Sequence, residues 1–175
     1  MRTTRTAIAM LTAAGLVFGV TSGAVANTRK FADRLNDAPH RADIHSVKVD
    51  NSTTARNKLK VLVRTDRFTA PPPAFPACLN PFIDVRGPNA GPEYKFVFCQ
   101  DNILRRVKNW RDNGNIVSQN CGYRASIDPA AGRNRFVIPR KCLNGPGRVR
   151  VAVRSTGQNG DWAKARRTFY GWVRR

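Results

Sequence analysis

Acid–base catalysis needs titratable side chains in a pocket, with pKa values pushed apart by their surroundings. Past Ala26 this sequence offers two histidines (His40 and His45), a single glutamate (Glu93) and aspartates for the rest of its acids. His40 lies in a polar stretch. His45 alternates with Val47 and Val49, which predicts a core or strand-end histidine with no partner nearby in sequence. Asp84 sits in an apolar run beside a turn, where a carboxylate accepts turn amides or pairs with Arg86. No G-x-S-x-G, H-E-x-x-H, P-loop or dinucleotide fingerprint occurs. Gly145-Pro146-Gly147 reads as a turn, since proline lacks the amide a phosphate cradle needs. Asp112-Asn113-Gly114-Asn115 is also a turn, without the alternating oxygen ligands of a calcium loop. The expectation is a non-enzymatic protein with no catalytic residue, metal or cofactor. A carboxylate pair assembled only by folding would not be visible at this level.

Binding chemistry is better represented. The 175 residues carry 31 Lys and Arg against 11 Asp and Glu, a net +20. Such a balance favours association with polyanions. Side chains alternate across a strand, so Lys58, Lys60 and Arg64 share a face opposite Leu59, Val61 and Val63. Lys48 lies opposite Val47 and Val49, and Arg148, Arg150 and Arg154 lie opposite Val149, Val151 and Val153. If these strands belong to one sheet, its outer surface is a basic tile for teichoic acid, acidic polysaccharide, extracellular nucleic acid or anionic lipid headgroups. Outward positions also go to Arg and Lys for solubility and to guard sheet edges. A second expectation is recognition of neutral glycan by ring stacking. Tyr94, Trp110, Tyr123, Trp162, Tyr170 and Trp172 are the candidates, led by Trp110 and Trp162, which adjoin polar, turn-rich segments. A structural or accessory role without a small ligand is the third.

The elements that would position these groups are short strands between Gly, Pro and Asn turns. Strands are expected at 44–50, 59–64, 82–86, 93–98, 103–110, 123–127, 135–138, 148–154 and 168–173, with no convincing amphipathic helix. This is the pattern of an antiparallel β-sandwich, jelly-roll or immunoglobulin-like, with a closed barrel as the alternative. The opening residues read as a secretory signal peptide: Arg2 and Arg5, an uncharged run over 7–20, then Ala24-Val25-Ala26, with cleavage after Ala26. Cleavage leaves 29 basic and 11 acidic residues in a secreted, extracellular chain. Residues 27–42, polar with only Phe31 and Leu35 as large apolar side chains, read as a linker, and 43–175 as a single domain.

An even cysteine count in an oxidising compartment predicts two disulfides. The midpoint of Cys78 and Cys99 falls in the turn Gly87-Pro88-Asn89-Ala90-Gly91, and that of Cys121 and Cys142 in Pro129-Ala130-Ala131-Gly132-Arg133-Asn134. Residues equidistant from a hairpin turn face each other. The expected pairs are therefore Cys78–Cys99 and Cys121–Cys142, each stabilising by roughly 3 kcal/mol in the chain-entropy model.

The order of Asp43-Ile44-His45-Ser46-Val47-Lys48-Val49, Leu59-Lys60-Val61-Leu62-Val63, Phe82-Ile83-Asp84, Gly91-Pro92-Glu93-Tyr94, Cys142-Leu143, Arg148-Val149-Arg150-Val151 and Asp161-Trp162 resembles small secreted actinobacterial domains of unknown function. More distantly it is similar to DOMON-like and carbohydrate-binding-module-like sandwiches. The resemblance implies a β-sandwich and, for DOMON-type domains, haem or sugar binding. Axial haem ligation transfers poorly, because Met1 and Met10 are the only methionines and leave with the signal peptide.

Overall fold

Leu59, Val61, Val63 and Thr65 are buried, while Lys58, Lys60, Leu62 and Arg64 between them are half-buried or exposed. That alternation is repeated through the computed structural model, which describes residues 27–35, 43–65, 78–87, 91–99, 102–128, 131–156 and 160–175. The strands are β1 (Thr28–Ala32), β2 (Ile44–Asp50), β3 (Lys58–Thr65), β4 (Cys78–Asp84), β5 (Tyr94–Phe98), β6 (Asn102–Arg106), β7 (Asn115–Ile116), β8 (Arg124–Asp128), β9 (Arg133–Pro139), β10 (Arg148–Thr156) and β11 (Val173–Arg174). Among the described residues the only helical elements are 3-10 turns at Thr53–Ala55, Gln119–Cys121 and Arg140–Leu143. The expected signal peptide, residues 1–26, lies outside the described residues.

Two antiparallel sheets pack face to face. One runs β1-β2-β3-β9-β8, and the other β11-β10-β4-β5-β6-β7. Their inner faces bury Val47, Val49, Val61, Leu79, Ile83, Leu104, Val149 and Val151 without exposed surface. Phe96 of β5 meets Phe136 of β9 edge-on at 5.1 Å, which ties the sheets at the centre of the core. Each such fully buried side chain stabilises by about 1.5–3 kcal/mol relative to its exposed state.

Both disulfides form as expected. Cys78 and Cys99 continue the β4–β5 register and lie 4.4 Å apart at Cα. Cys121 and Cys142, 5.6 Å apart, sit on the 3-10 turns that flank the β8–β9 hairpin. Through those turns the chain crosses from one sheet to the other and back, so this bond holds both crossings at the hairpin's open end.

Four expectations are corrected. The 27–42 linker contains strand β1, paired in register with β2 from Thr28 opposite Asp50 to Ala32 opposite Ser46. A single inward ring suffices for this edge strand: Phe31 stacks on Tyr170 with centroids 4.3 Å apart. The 103–110 strand ends at Arg106, leaving Trp110 in the following turn. The 168–173 strand shortens to β11, and before it the chain follows the edge of β10 irregularly, with Ala163 and Tyr170 amides donating to the Val153 and Val151 carbonyls. His45 does not share the face of Val47 and Val49. A register shift between Ile44 and Ser46 inserts it as an extra residue, half-exposed and 3.5 Å from Asp43.

Candidate functional site

The expected basic tile divides between the two sheets. Lys48, Lys58, Lys60 and Arg64 lie on the β1-β2-β3-β9-β8 sheet, and Arg148, Arg150 and Arg154 on the other, so these side chains form two surfaces rather than one. Alternation alone could not reveal this, because a period of two says which face a residue takes and not which sheet its strand joins.

On the β10 sheet the outward arginines meet aromatic rings. The chain after Gly160 alternates about the edge of β10. Ala163, Tyr170 and Val173 turn into the core, while Trp162, Phe169 and Trp172 are half-buried beside them. The Arg148 guanidinium lies 4.5 Å from the Trp172 centroid, and Arg150 lies 4.7 Å from Phe169 and 4.8 Å from Trp172. Arg154 lies 5.5 Å from Trp162, its partner in an isolated β-bridge. Trp110 and Trp162 touch at 5.6 Å, and both pack on Phe82, at 5.2 and 5.4 Å. Phe169 adds a further contact to Trp110 at 4.6 Å. The two expected stacking residues and three of the expected anion-binding residues therefore form one laminate.

Arg150 also donates through Nε to Asp84 Oδ2 at 2.5 Å. Asp84 is fully buried, and its Oδ1 accepts the Arg86 and Gly87 amides. The turn-amide expectation for Asp84 holds, but its cation is Arg150, across the β4–β10 pairing, rather than Arg86. Glu93 completes this corner, its Oε2 accepting the Val85 amide. Burial, with the Asp84 carboxylate beside it, pushes the Glu93 carboxyl above its ordinary value despite that amide. Here folding does bring two carboxylates together, 9 residues apart in sequence, at the base of the β4–β5 turn. Burial likewise lowers the Lys95 ammonium pKa, helped by Arg105 and Arg154, and Lys95 sits 5.6 Å from the Phe82 centroid. The Asp112 turn folds as expected: its carboxylate accepts the Gly114 and Lys108 amides, and Gly114 has φ +60. A side chain at Gly114 would run into the Arg106 carbonyl.

The β3 sheet has a different outer face. Strand register places Lys30, Lys48, Lys58, Lys60, Arg64, Arg124, Arg133 and Arg135 on it, with Asp50 and Asp128 as its carboxylates. Arg124, Arg133 and Arg135, which sequence reading missed, enter because β8 and β9 add to this sheet. The available signal was outward parity, around Phe136 for Arg133 and Arg135 and against Ala125 and Ile127 for Arg124. Lys30 stands opposite Lys48, and Arg64 opposite Arg133. Like charges directly opposite one another destabilise a sheet. The ion pair seen here among the described residues joins Lys60 to Asp50 at 3.8 Å. Asp50 Oδ1 accepts from Thr28 Oγ1 and from the amide and hydroxyl of Ser52. Burial opposes ionisation of Asp50, but these bonds and Lys60 hold its pKa below the usual carboxylate range. A groove of about 450 Å³ crosses the face, lined by Lys48, Lys60, Leu62, Arg133 and Arg135 with Asp50 and Asp128 at its borders.

Among the described residues no group of three or more His, Cys, Asp or Glu is placed to hold a metal ion, no cysteine is free, and no helix is long and apolar enough to cross a membrane. Comparison with family models, with curated proteins and with solved structures gives no match to this chain.

Proposed function

We propose that this is a secreted, non-enzymatic protein that binds an anionic extracellular or cell-surface polymer through the outer face of the β3 sheet. The observation that carries this reading is the opposition of like charges in register, Lys30 against Lys48 and Arg64 against Arg133. A surface built only for solubility intersperses the two signs. Of these four cations only Arg133 has a carboxylate in register on its other side, Asp128, and an external anion relieves the remaining repulsion with release of that polymer's counterions. The β10 face also sets Lys95 opposite Arg105, but there Arg105 donates to the Asn113 and Gly114 carbonyls and Lys95 lies over a ring. Its cations are already engaged within the fold. Two disulfides support an oxidising compartment.

The glycan-stacking alternative at Trp110 and Trp162 draws less support, because those rings pack on Phe82, on Phe169 and on each other. Retention on immobilised heparin or DNA, measured against salt, tests the proposal. Binding weakens steeply as salt rises. Replacing Lys48, Arg133 and Arg135 together with Ser lowers the slope of log K against log salt by up to about three. Replacing Arg148 and Arg154 with Ser leaves it unchanged. The reverse pattern, or retention that survives high salt in every variant, overturns the assignment.

A further inference from the structure

Leu62 sits half-buried at the centre of the β3 face. Lys48 on β2 and Arg135 on β9 are its partners in register, and Lys60 and Arg64 flank it along β3. An apolar side chain therefore lies inside a ring of four cations, in a groove that Ile127 also borders. Two-residue steps along a strand cover about 6.8 Å. Positive charge thus recurs roughly every 7 Å along the strand direction: Lys60 first, then Lys48 and Arg135 level with Leu62, then Arg64. At the margins, Asp50 and Asp128 each use Oδ1 for local bonds, Asp128 by accepting the Ala131 amide. The second oxygen of each accepts no hydrogen bond among the described residues; for Asp50 it faces Lys60 at 3.8 Å.

We propose that this groove selects a single-chain acidic polymer of hydroxylated units with about one anion per unit, the chemistry shared by uronate polysaccharides and polyol phosphates. This rests on the anion-binding reading above and narrows it. Duplex DNA presents one charge per about 1.7 Å of axis, far denser than the cation repeat, and two rim carboxylates repel so dense an array. Single-stranded nucleic acid binds through ring platforms on which its bases stack. The described residues of this face include no aromatic side chain, since Phe31 turns inward onto Tyr170. A hydroxylated polymer meets each feature instead. Its anions lie against the cations, its C–H surface against Leu62, and its hydroxyls donate to the second oxygens of Asp50 and Asp128.

The test uses the full mature chain and four probes at equal charge concentration and salt: polygalacturonate, poly(glycerol phosphate), inorganic polyphosphate and a single-stranded oligothymidylate. One of the first two binds at least about tenfold more tightly than the last two, and the tighter of them names the source. The decisive variant is Asp128→Asn, which keeps an acceptor for the Ala131 amide but replaces the open oxygen by a donor. It weakens binding of the hydroxylated probe while strengthening binding of polyphosphate, because a repelling charge is gone. Equal affinity for all four probes, preference for polyphosphate or oligothymidylate, or strengthening of all binding by Asp128→Asn overturns the selectivity and leaves anion binding standing. Undiminished binding of every probe by the Lys48, Arg133 and Arg135 triple variant overturns the underlying reading as well.

Discussion

On the outer face of β10, Arg150 reaches a buried carboxylate and lies over two rings; on the outer face of β9, Arg133 stands opposite another arginine. Both faces come from strands with the same alternation of valine and cation, and both have a basic exterior. The difference lies in what the fold lays beside them. The β10 sheet receives the C-terminal chain along its edge, and with it Trp162, Phe169 and Trp172. The β3 sheet is edged by β1 and β8 and receives no ring on its outside among the described residues. A guanidinium over a half-buried ring contributes to the fold, by roughly 0.5–1 kcal/mol where solvent reaches it. A guanidinium opposite another repels it, and on this face the one carboxylate in register with the pair is Asp128, opposite Arg133 on its other side. Charge count alone therefore does not identify a binding face; how each charge is neutralised does.

This contrast is most directly broken at Arg150. Arg150→Ala leaves Asp84 buried without its cation, and unfolding by denaturant is expected to show a loss of about 3 kcal/mol, the lower end for a broken buried pair because Arg150 is partly exposed. Arg133→Ala in the same assay changes stability by no more than about 0.5 kcal/mol. Equal losses at the two positions would dissolve the distinction between the faces. Next in size is Trp162→Ala, which removes a ring from Phe82 and Trp110 and a platform from Arg154, with an expected loss of about 2 kcal/mol and no change in polyanion retention. A retention defect from Trp162→Ala in a folded protein would return the glycan-stacking reading to the β10 face. Arg148→Ser and Arg154→Ser are smaller again, each costing about 0.5–1 kcal/mol through the lost ring contact.

Which parts of this were readable beforehand follows from the range over which each signal acts. The inward valines, the turn role of Asp84 and both disulfides depend on separations of two to about twenty residues, and alternation and turn chemistry report on those. Cys78 and Cys99 face each other because both are equidistant from their turn, in the same register as Leu79 opposite Phe98. The facing arginines are a different matter. Arg64 meets Arg133 only because β3 pairs with β9 across a long excursion through the other sheet. Nothing in either strand's own pattern encodes that partner. The β1 strand escaped notice for want of apolar residues, since its inward contact among large side chains is Phe31 alone. The aromatic laminate was partly legible. Trp162 precedes Ala163, Phe169 precedes Tyr170 and Trp172 precedes Val173, so a strand-like path puts one member of each pair on either side.

The gentlest expected effect separates the faces by the sign of their response to pH. Glu93, at the corner of the β10 face, titrates above its ordinary 4.5 in the folded state, chiefly through burial, with Asp84 beside it. Between the unfolded and folded values the native state holds a proton the unfolded chain has released, so stability falls as pH rises through that window. Asp50, on the β3 face, is held below its ordinary 3.8 by Ser52, Thr28 and Lys60 against the cost of burial. There the unfolded chain binds the extra proton, and stability is lost as pH falls below 3.8 through the folded value. The two groups thus limit stability from opposite sides. Denaturant midpoints measured from pH 2 to 7 are expected to lose their decline above 4.5 in Glu93→Gln, whose amide still accepts from Val85 and can donate to Asp84. Asp50→Asn flattens the acid limb instead. If Glu93→Gln leaves the upper limb intact, the carboxylate corner of the β10 face is not under electrostatic load, and its resemblance to the engaged Arg150 network ends there.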